Sequence, residues 1–129
     1  MREILFKAKR VDNGEWVVGS LITGVFFRLG KDIPYIFCPE EVDYDCFEDF
    51  TEGYGIHEVY IDTICQFTGL IDKNGKKIFE GDIMNNPGNV VEFCTDGFCI
   101  NGDSPLVFWT KTEIIGNIHD NPKLLQEGV

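Results

Sequence analysis

Gln66-Phe67-Thr68-Gly69-Leu70-Ile71-Asp72-Lys73-Asn74-Gly75-Lys76-Lys77-Ile78-Phe79-Glu80-Gly81-Asp82-Ile83 reads as strand, turn, strand, turn, strand. Asp72 to Gly75 carries turn chemistry, because Asn tolerates left-handed backbone and Gly enters it without a Cβ clash. The apolar residues on either side can then face one another, and Gly81-Asp82 makes a second bend before Ile83-Met84. No residue of the stretch has an obvious chemical duty, and most have a structural use. Gly69, Gly75 and Gly81 suit turns or close strand crossings, Phe67 and Phe79 suit a core, and Asp82 can accept backbone N–H bonds in its bend. Gln66 and Glu80 are left without an assigned use.

Working outward, short strands and turns continue in both directions. Toward the N-terminus, Glu3 to Arg10 alternates polar and apolar residues, Asp12-Asn13-Gly14 is a hairpin signal, and Glu15 to Ile22 returns as a second strand. Val25–Leu29 and Tyr35–Cys38 read as further strands separated by Gly30–Pro34, and β-branched and aromatic residues put another at Val59–Gln66. Toward the C-terminus, strands are expected at Val90–Cys94, Phe98–Ile100, Leu106–Trp109 and Glu113–Ile118, with Asp96-Gly97 as a hairpin turn. Asn121 is placed to cap one helical turn begun by Pro122. The expectation is a mainly β, small antiparallel domain with little helix, a single domain over residues 1–129, with an acidic insertion at about 40–62 and a barrel core at about 59–118.

Composition limits the function. The 129 residues are 43% hydrophobic and 13% aromatic, enough for a packed core. The formal charge of −11 is concentrated: Glu40 to Asp62 holds nine acids and no Lys or Arg, and the remainder is nearly balanced. Such a segment repels nucleic-acid phosphate and attracts a basic partner or a cation, over a screening length of about 8 Å at physiological salt. Five Cys without a C-x-x-C pair cannot all pair within the chain, which points to a reduced, cytoplasmic protein. The N-terminus has no signal-like apolar core, and no stretch is long enough to span a membrane as a helix.

Catalytic and cofactor chemistry find little support. His57 beside Glu58 and His119 beside Asp120 are the two histidines, and neither sits in a recognisable catalytic motif. There is no nucleophile elbow, P-loop or dinucleotide fingerprint. The five cysteines read as core residues. Cys94 and Cys99 are spaced more widely than a usual zinc pair, on a hairpin whose cysteines need not converge, so no metal is expected there. Asp43, Asp45, Glu48 and Asp49 offer carboxylates to a hard cation, but Glu48 occupies the position that a calcium loop gives to glycine. No catalytic residue, metal or cofactor is therefore expected, and the chain is read as not an enzyme.

Three blocks carry a family resemblance: the charged and aromatic hairpin ending near Gly19, the stretch Gln66–Ile83, and Ile115-Gly116-Asn117-Ile118-His119-Asp120-Asn121-Pro122-Lys123-Leu124-Leu125. Together they resemble the YopX family of phage and prophage proteins, whose Q-[FY]-T-G-L-x-D-K-N-G-K core and I-G-N-I-x-x-N-P-x-L-L ending they follow closely. Val25 to Glu58 lies outside those motifs. The resemblance implies a β-rich fold with an SH3-like barrel or roll in the C-terminal half and a bacterial or phage setting, and it names no activity.

Two function classes remain. In the first, the chain is a protein-interaction module of phage or bacterial-host setting, with Asp43, Tyr44, Asp45, Phe47, Glu48, Asp49, Phe50 and Tyr54 as partner-binding residues: the aromatics anchor and the carboxylates steer. In the second, a small barrel binds nucleic acid through Arg2, Lys7, Lys9, Arg10, Lys73, Lys76 and Lys77, against the overall charge. A third class, an acidic decoy that imitates nucleic acid to occupy a host nucleic-acid-binding protein, follows from the same carboxylates. No membrane partner is expected, and exposed edge strands offer a contact between copies.

Overall fold

Alternating side chains and turn-forming glycines produce short antiparallel strands throughout the computed structural model, which describes residues 4–23, 27–28, 31–39, 55–95, 97–102 and 104–125. The mainly β expectation holds, and the named helical segments are single turns of 3-10 helix at Ile61–Thr63, Leu106–Trp109 and Pro122–Leu125. The chain packs as two compact units, with Ile4–Gln66 in one and Phe67–Val129 in the other.

In the first unit, β1 (Phe6–Lys9) and β2 (Trp16–Ile22) form the expected hairpin, with Gly14 at a φ of 72° in its turn. Two-residue strands β3 (Phe27–Arg28) and β4 (Lys31–Asp32) pair with one another, so part of the expected Gly30–Pro34 separator is itself a strand. β5 (Tyr35–Phe37) pairs with β2 on one side and with β6 (Ile56–Glu58) on the other. Ala8, Val17, Ile36, Cys38 and Val59 form the core of this unit, with Phe6, Leu21 and Ile64 packed against it. β2 and β5 approach so closely at Gly19 that an added Cβ would collide with the Phe37 carbonyl oxygen.

The strand expected over Val59–Gln66 is broken. Val59 makes only a bridge to Arg10, and the chain then turns through Ile61–Thr63 before β7 (Cys65–Ile71) begins. Thr63 is the cause: its hydroxyl donates to the Tyr60 carbonyl at 2.7 Å and accepts the Lys9 N–H at 2.9 Å, so a side chain takes bonds that a strand would give to its neighbour.

β7 passes from the first unit into the second, where β8 (Lys77–Phe79) and β9 (Asp82–Met84) complete the alternation expected for Gln66–Ile83. Phe67 lies opposite Phe79 with ring centroids 5.5 Å apart. Between Phe67 and Ile71 the pairing slips, and the buried Thr68 hydroxyl donates to the Ile78 carbonyl at 2.7 Å while Gly69 takes a φ of 88°. β10 (Val91–Cys94), β11 (Gly97–Ile100) and β12 (Ser104–Pro105) form a three-stranded sheet, and β13 (Ile114–Asn117) pairs with β9. Ile78, Met84, Val91, Ile100 and Leu106 are the core of this unit.

Leu106–Trp109, expected as a strand, is a 3-10 turn. Leu106 is buried while Val107 and Phe108 face outward, and the turn is held by Trp109 Nε1 donating to Ser104 Oγ at 2.9 Å and by Thr112 Oγ1 donating to the Trp109 carbonyl at 2.6 Å. At the C-terminus, Asn121 directly precedes the Pro122 turn. Its Oδ1 accepts the Asn117 N–H at 3.2 Å, and its backbone carbonyl accepts the Leu124 N–H.

One carboxylate organises the second unit. Asp72 is buried, and its Oδ1 accepts the N–H groups of Asn74 and Lys76 at 2.9 Å each while its Oδ2 accepts the Ile114 N–H at 3.1 Å. Burial pushes the Asp72 pKa up, but the three backbone donors, with the nearby Lys76 charge, hold it below the ordinary 3.8. Lys73 N–H donates to the Thr112 carbonyl beside this network, so the turn after β7 is fastened to the start of β13. Asp82 acts similarly at the next bend, accepting the Phe79 N–H at 2.8 Å.

Two stability outcomes follow from these contacts. Gly19→Ala should lower the unfolding free energy by about 3 kcal/mol in a denaturant titration, since backbone must move to admit the methyl group. Asp72→Asn should cost about 2 kcal/mol at neutral pH, because an amide presents a donor to one of the three N–H groups. A depressed carboxylate pKa stabilises above its unfolded value, so the gap between wild type and Asp72→Asn should narrow as pH falls below 3.8; a pH-independent gap would contradict the carboxylate's role.

Candidate functional site

The eight partner-binding residues expected from sequence, Asp43, Tyr44, Asp45, Phe47, Glu48, Asp49, Phe50 and Tyr54, lie outside the described residues, as does Arg2. The described part of the acid-rich window, from Gly55 on, contains β6, where Ile36 is opposite the half-buried His57 and Tyr35 opposite Glu58. Tyr60 is exposed, with its hydroxyl 3.4 Å from the Val11 carbonyl.

The cationic residues divide between the units. In the first, Lys9 is directly opposite Trp16 across the β1–β2 hairpin and Lys7 is two residues along the same face. Their ammonium groups stand 5.4 and 4.6 Å from the indole ring centroid, within cation–π range. Arg10 grips Asp12 through two hydrogen bonds of 3.0 and 2.6 Å, which hold the Asp12 carboxyl below its ordinary value. In the second unit, Lys73, Lys76 and Lys77 are exposed around the turn after β7, and Lys77 lies 5.3 Å from the centre of the Phe67 ring.

The richest chemistry is on the β10–β11 hairpin. A two-residue connection places Cys94 opposite Gly97 and therefore Glu92 opposite Cys99, so Glu92, Cys94 and Cys99 share one face. The hairpin cysteines, which by spacing alone need not converge, do converge: Cys94 and Cys99 are joined as a disulfide, with Cα atoms 6.2 Å apart. The reading of all five cysteines as reduced is corrected with it. Cys38 and Cys65 are buried thiols outside any disulfide, donating to the Val18 and Thr63 carbonyls, and Cys46 lies outside the described residues.

A cavity of about 270 Å³ opens beside the pair, lined by Cys94, Gly97, Phe98, Cys99, Gly102 and Pro105. Phe93 packs edge-on to Phe98 at 5.1 Å and is 63% exposed. Pro105 leads directly into Leu106–Trp109, where Val107 is 57% and Phe108 77% exposed. Three large apolar side chains, Phe93 on β10 and Val107 and Phe108 on the turn after β12, are thus left at the surface. The Phe93 and Phe108 exposures were not legible from sequence, because strand alternation and a strand at Leu106–Trp109 were assumed to bury one side of each.

The remaining open residues lie on separate elements of the described structure. Gln66 is half-buried opposite Phe6, and Glu80 is half-buried in the bend between β8 and β9. His119 donates its backbone N–H to Asn117 Oδ1, which also accepts the Asp120 N–H. No helix among the described residues is long and apolar enough to cross a membrane.

Among solved structures, the crystal structure of protein EF1440 from Enterococcus faecalis is similar over 98% of this chain and 100% of its own, with a TM-score of 0.53 and 20% identity, a likeness of fold alone. No curated protein matches the sequence. A sequence profile described as YopX protein matches residues 38–126, taking in the acid-rich segment that the three motif blocks leave outside and omitting the N-terminal hairpin. With that match covering most of its length, and with both the Gln66–Ile83 and the Ile115–Leu125 blocks inside it, the chain belongs to the YopX protein family.

Proposed function

We infer that this YopX family member is a non-catalytic protein-interaction module of phage or prophage origin. The observation that supports this most is the exposure of Phe93, Val107 and Phe108, since aromatic side chains left at a surface are the usual anchors of a protein contact. The acid-rich window, with nine carboxylates and no Lys or Arg from Glu40 to Asp62, adds the means to attract a basic partner. The partner is therefore a host or phage protein with a basic, partly apolar face. Nothing in the reading requires turnover: the thiols of Cys38 and Cys65 are engaged by backbone carbonyls, and the Asp72 and Asp82 carboxylates by backbone N–H groups.

A second reading has one specific observation in its favour. Lys7 and Lys9 flank Trp16 on one face of the β1–β2 hairpin, the combination of charge and ring that single-stranded nucleic acid uses for phosphate and base. The net charge of −11 opposes it.

Capture of a partner from lysate of a phage-carrying bacterium, with and without nuclease, separates the two. For the interaction module, capture survives nuclease, weakens with salt, and drops on the order of 30-fold in affinity for Phe93→Ser or Phe108→Ser, as for loss of an anchor. Charge reversal of Asp43, Asp45, Glu48 and Asp49 to Lys should abolish capture while leaving folding intact. Capture that persists in that variant at low salt overturns the acidic surface, and capture that disappears with nuclease transfers the function to Lys7, Lys9 and Trp16.

A further inference from the structure

The Cys94–Cys99 cross-link contributes little as a staple. It spans a separation of five residues between strands already held by the β10–β11 ladder, and the entropy a disulfide removes from the unfolded chain falls with the length of the loop it closes. A third group stands with the sulfurs. Glu92 is directly opposite Cys99 and two residues from Cys94, and a carboxylate oxygen and both sulfurs lie within 4.8 Å of one another. The Glu92 carboxylate leans toward Gly102, where a Cβ would come within 3.6 Å of Oε2, and Gly102 lines the same cavity as the two cysteines.

We propose that the reduced hairpin is a binding site for a thiophilic divalent cation, of the zinc class, held by the thiolates of Cys94 and Cys99 and the carboxylate of Glu92. Two thiolates and one carboxylate suit zinc and its chemical relatives and disfavour magnesium or calcium. Zinc bonds sulfur at about 2.3 Å, so two thiolates on one tetrahedral ion stand roughly 3.8 Å apart. The Cα separation of 6.2 Å accommodates sulfurs at that spacing as well as a disulfide. Three protein donors leave the fourth position to water, and the cavity of about 270 Å³ beside the cysteines gives that water, or an incoming donor ligand, its space.

Disulfide and metal site exclude one another. A low-molecular-weight thiol opens the cross-link: both cysteine sulfurs gain an electron and a proton, and two reductant thiols become one disulfide. The cation then displaces the two thiol protons, and the bound assembly carries a net charge of −1 from one dication, two thiolates and one carboxylate. This site is independent of partner capture and can fail or succeed without it.

The test uses the full chain reduced with a phosphine under anaerobic conditions and titrated with Co2+, whose thiolate complexes absorb in the near ultraviolet. The expected result is a saturable thiolate-to-cobalt absorption in the reduced wild type that Zn2+ removes, and none in the oxidised wild type. The absorption should vanish in Cys94→Ser and in Cys99→Ser, and Glu92→Gln should weaken Co2+ binding on the order of tenfold. Absence of the absorption in the reduced wild type overturns the proposal whether or not the variants fold. Its persistence in either cysteine variant also overturns it, by moving the ligands to Cys38, Cys46 or Cys65.

Discussion

The second unit depends on a carboxylate that is almost covered, that of Asp72. Asp72 receives two N–H groups from its own turn and one from Ile114, so a local turn and a strand start 42 residues later are fixed by the same two oxygens. A buried charge is tolerated only when its bonds are complete, and here backbone donors complete them. With Ile114 held, β13 can lie along β9, and the Ile118 N–H reaches the Gly81 carbonyl at 3.0 Å. The middle and final motif blocks are therefore one structural device. Gly116 completes it: a Cβ there would press against the side chains of Asn121 and Leu124.

Much of this was legible in the residues. Asn-Gly and Asp-Gly pairs specify backbone that few other residues adopt, and Gly14, Gly75 and Gly97 all take positive φ at the turns they announce. The errors have equally local causes. Leu106-Val107-Phe108-Trp109 is a continuous apolar run, which carries no period to distinguish a strand from a tight helical turn. Val59–Gln66 has strand-forming side chains, and only the Thr63 hydroxyl, bonding to both Tyr60 and Lys9, diverts it. The meeting of Cys94 and Cys99 follows from register, which a two-residue turn at 95–96 fixes but which cysteine spacing alone does not express.

The family signature turns out to be devoted mainly to backbone. Thr68, Asp72, Asp82, Asn117 and Asn121 each bond N–H or C=O groups, and the glycines among them permit bends or close approaches. A motif made of such residues identifies a fold with high specificity and says little about a ligand. The groups with chemistry to offer lie elsewhere, on the β10–β11 hairpin and the Trp16 face.

The position of the two tryptophans has a practical consequence. Trp16 belongs to the first unit, beneath two ammonium groups, and Trp109 to the second, with its indole N–H held by Ser104. Each compact unit thus carries a single tryptophan in a distinct electrostatic setting. Replacing one indole at a time with phenylalanine turns intrinsic emission into a separate optical record for each half of the chain, with no label attached.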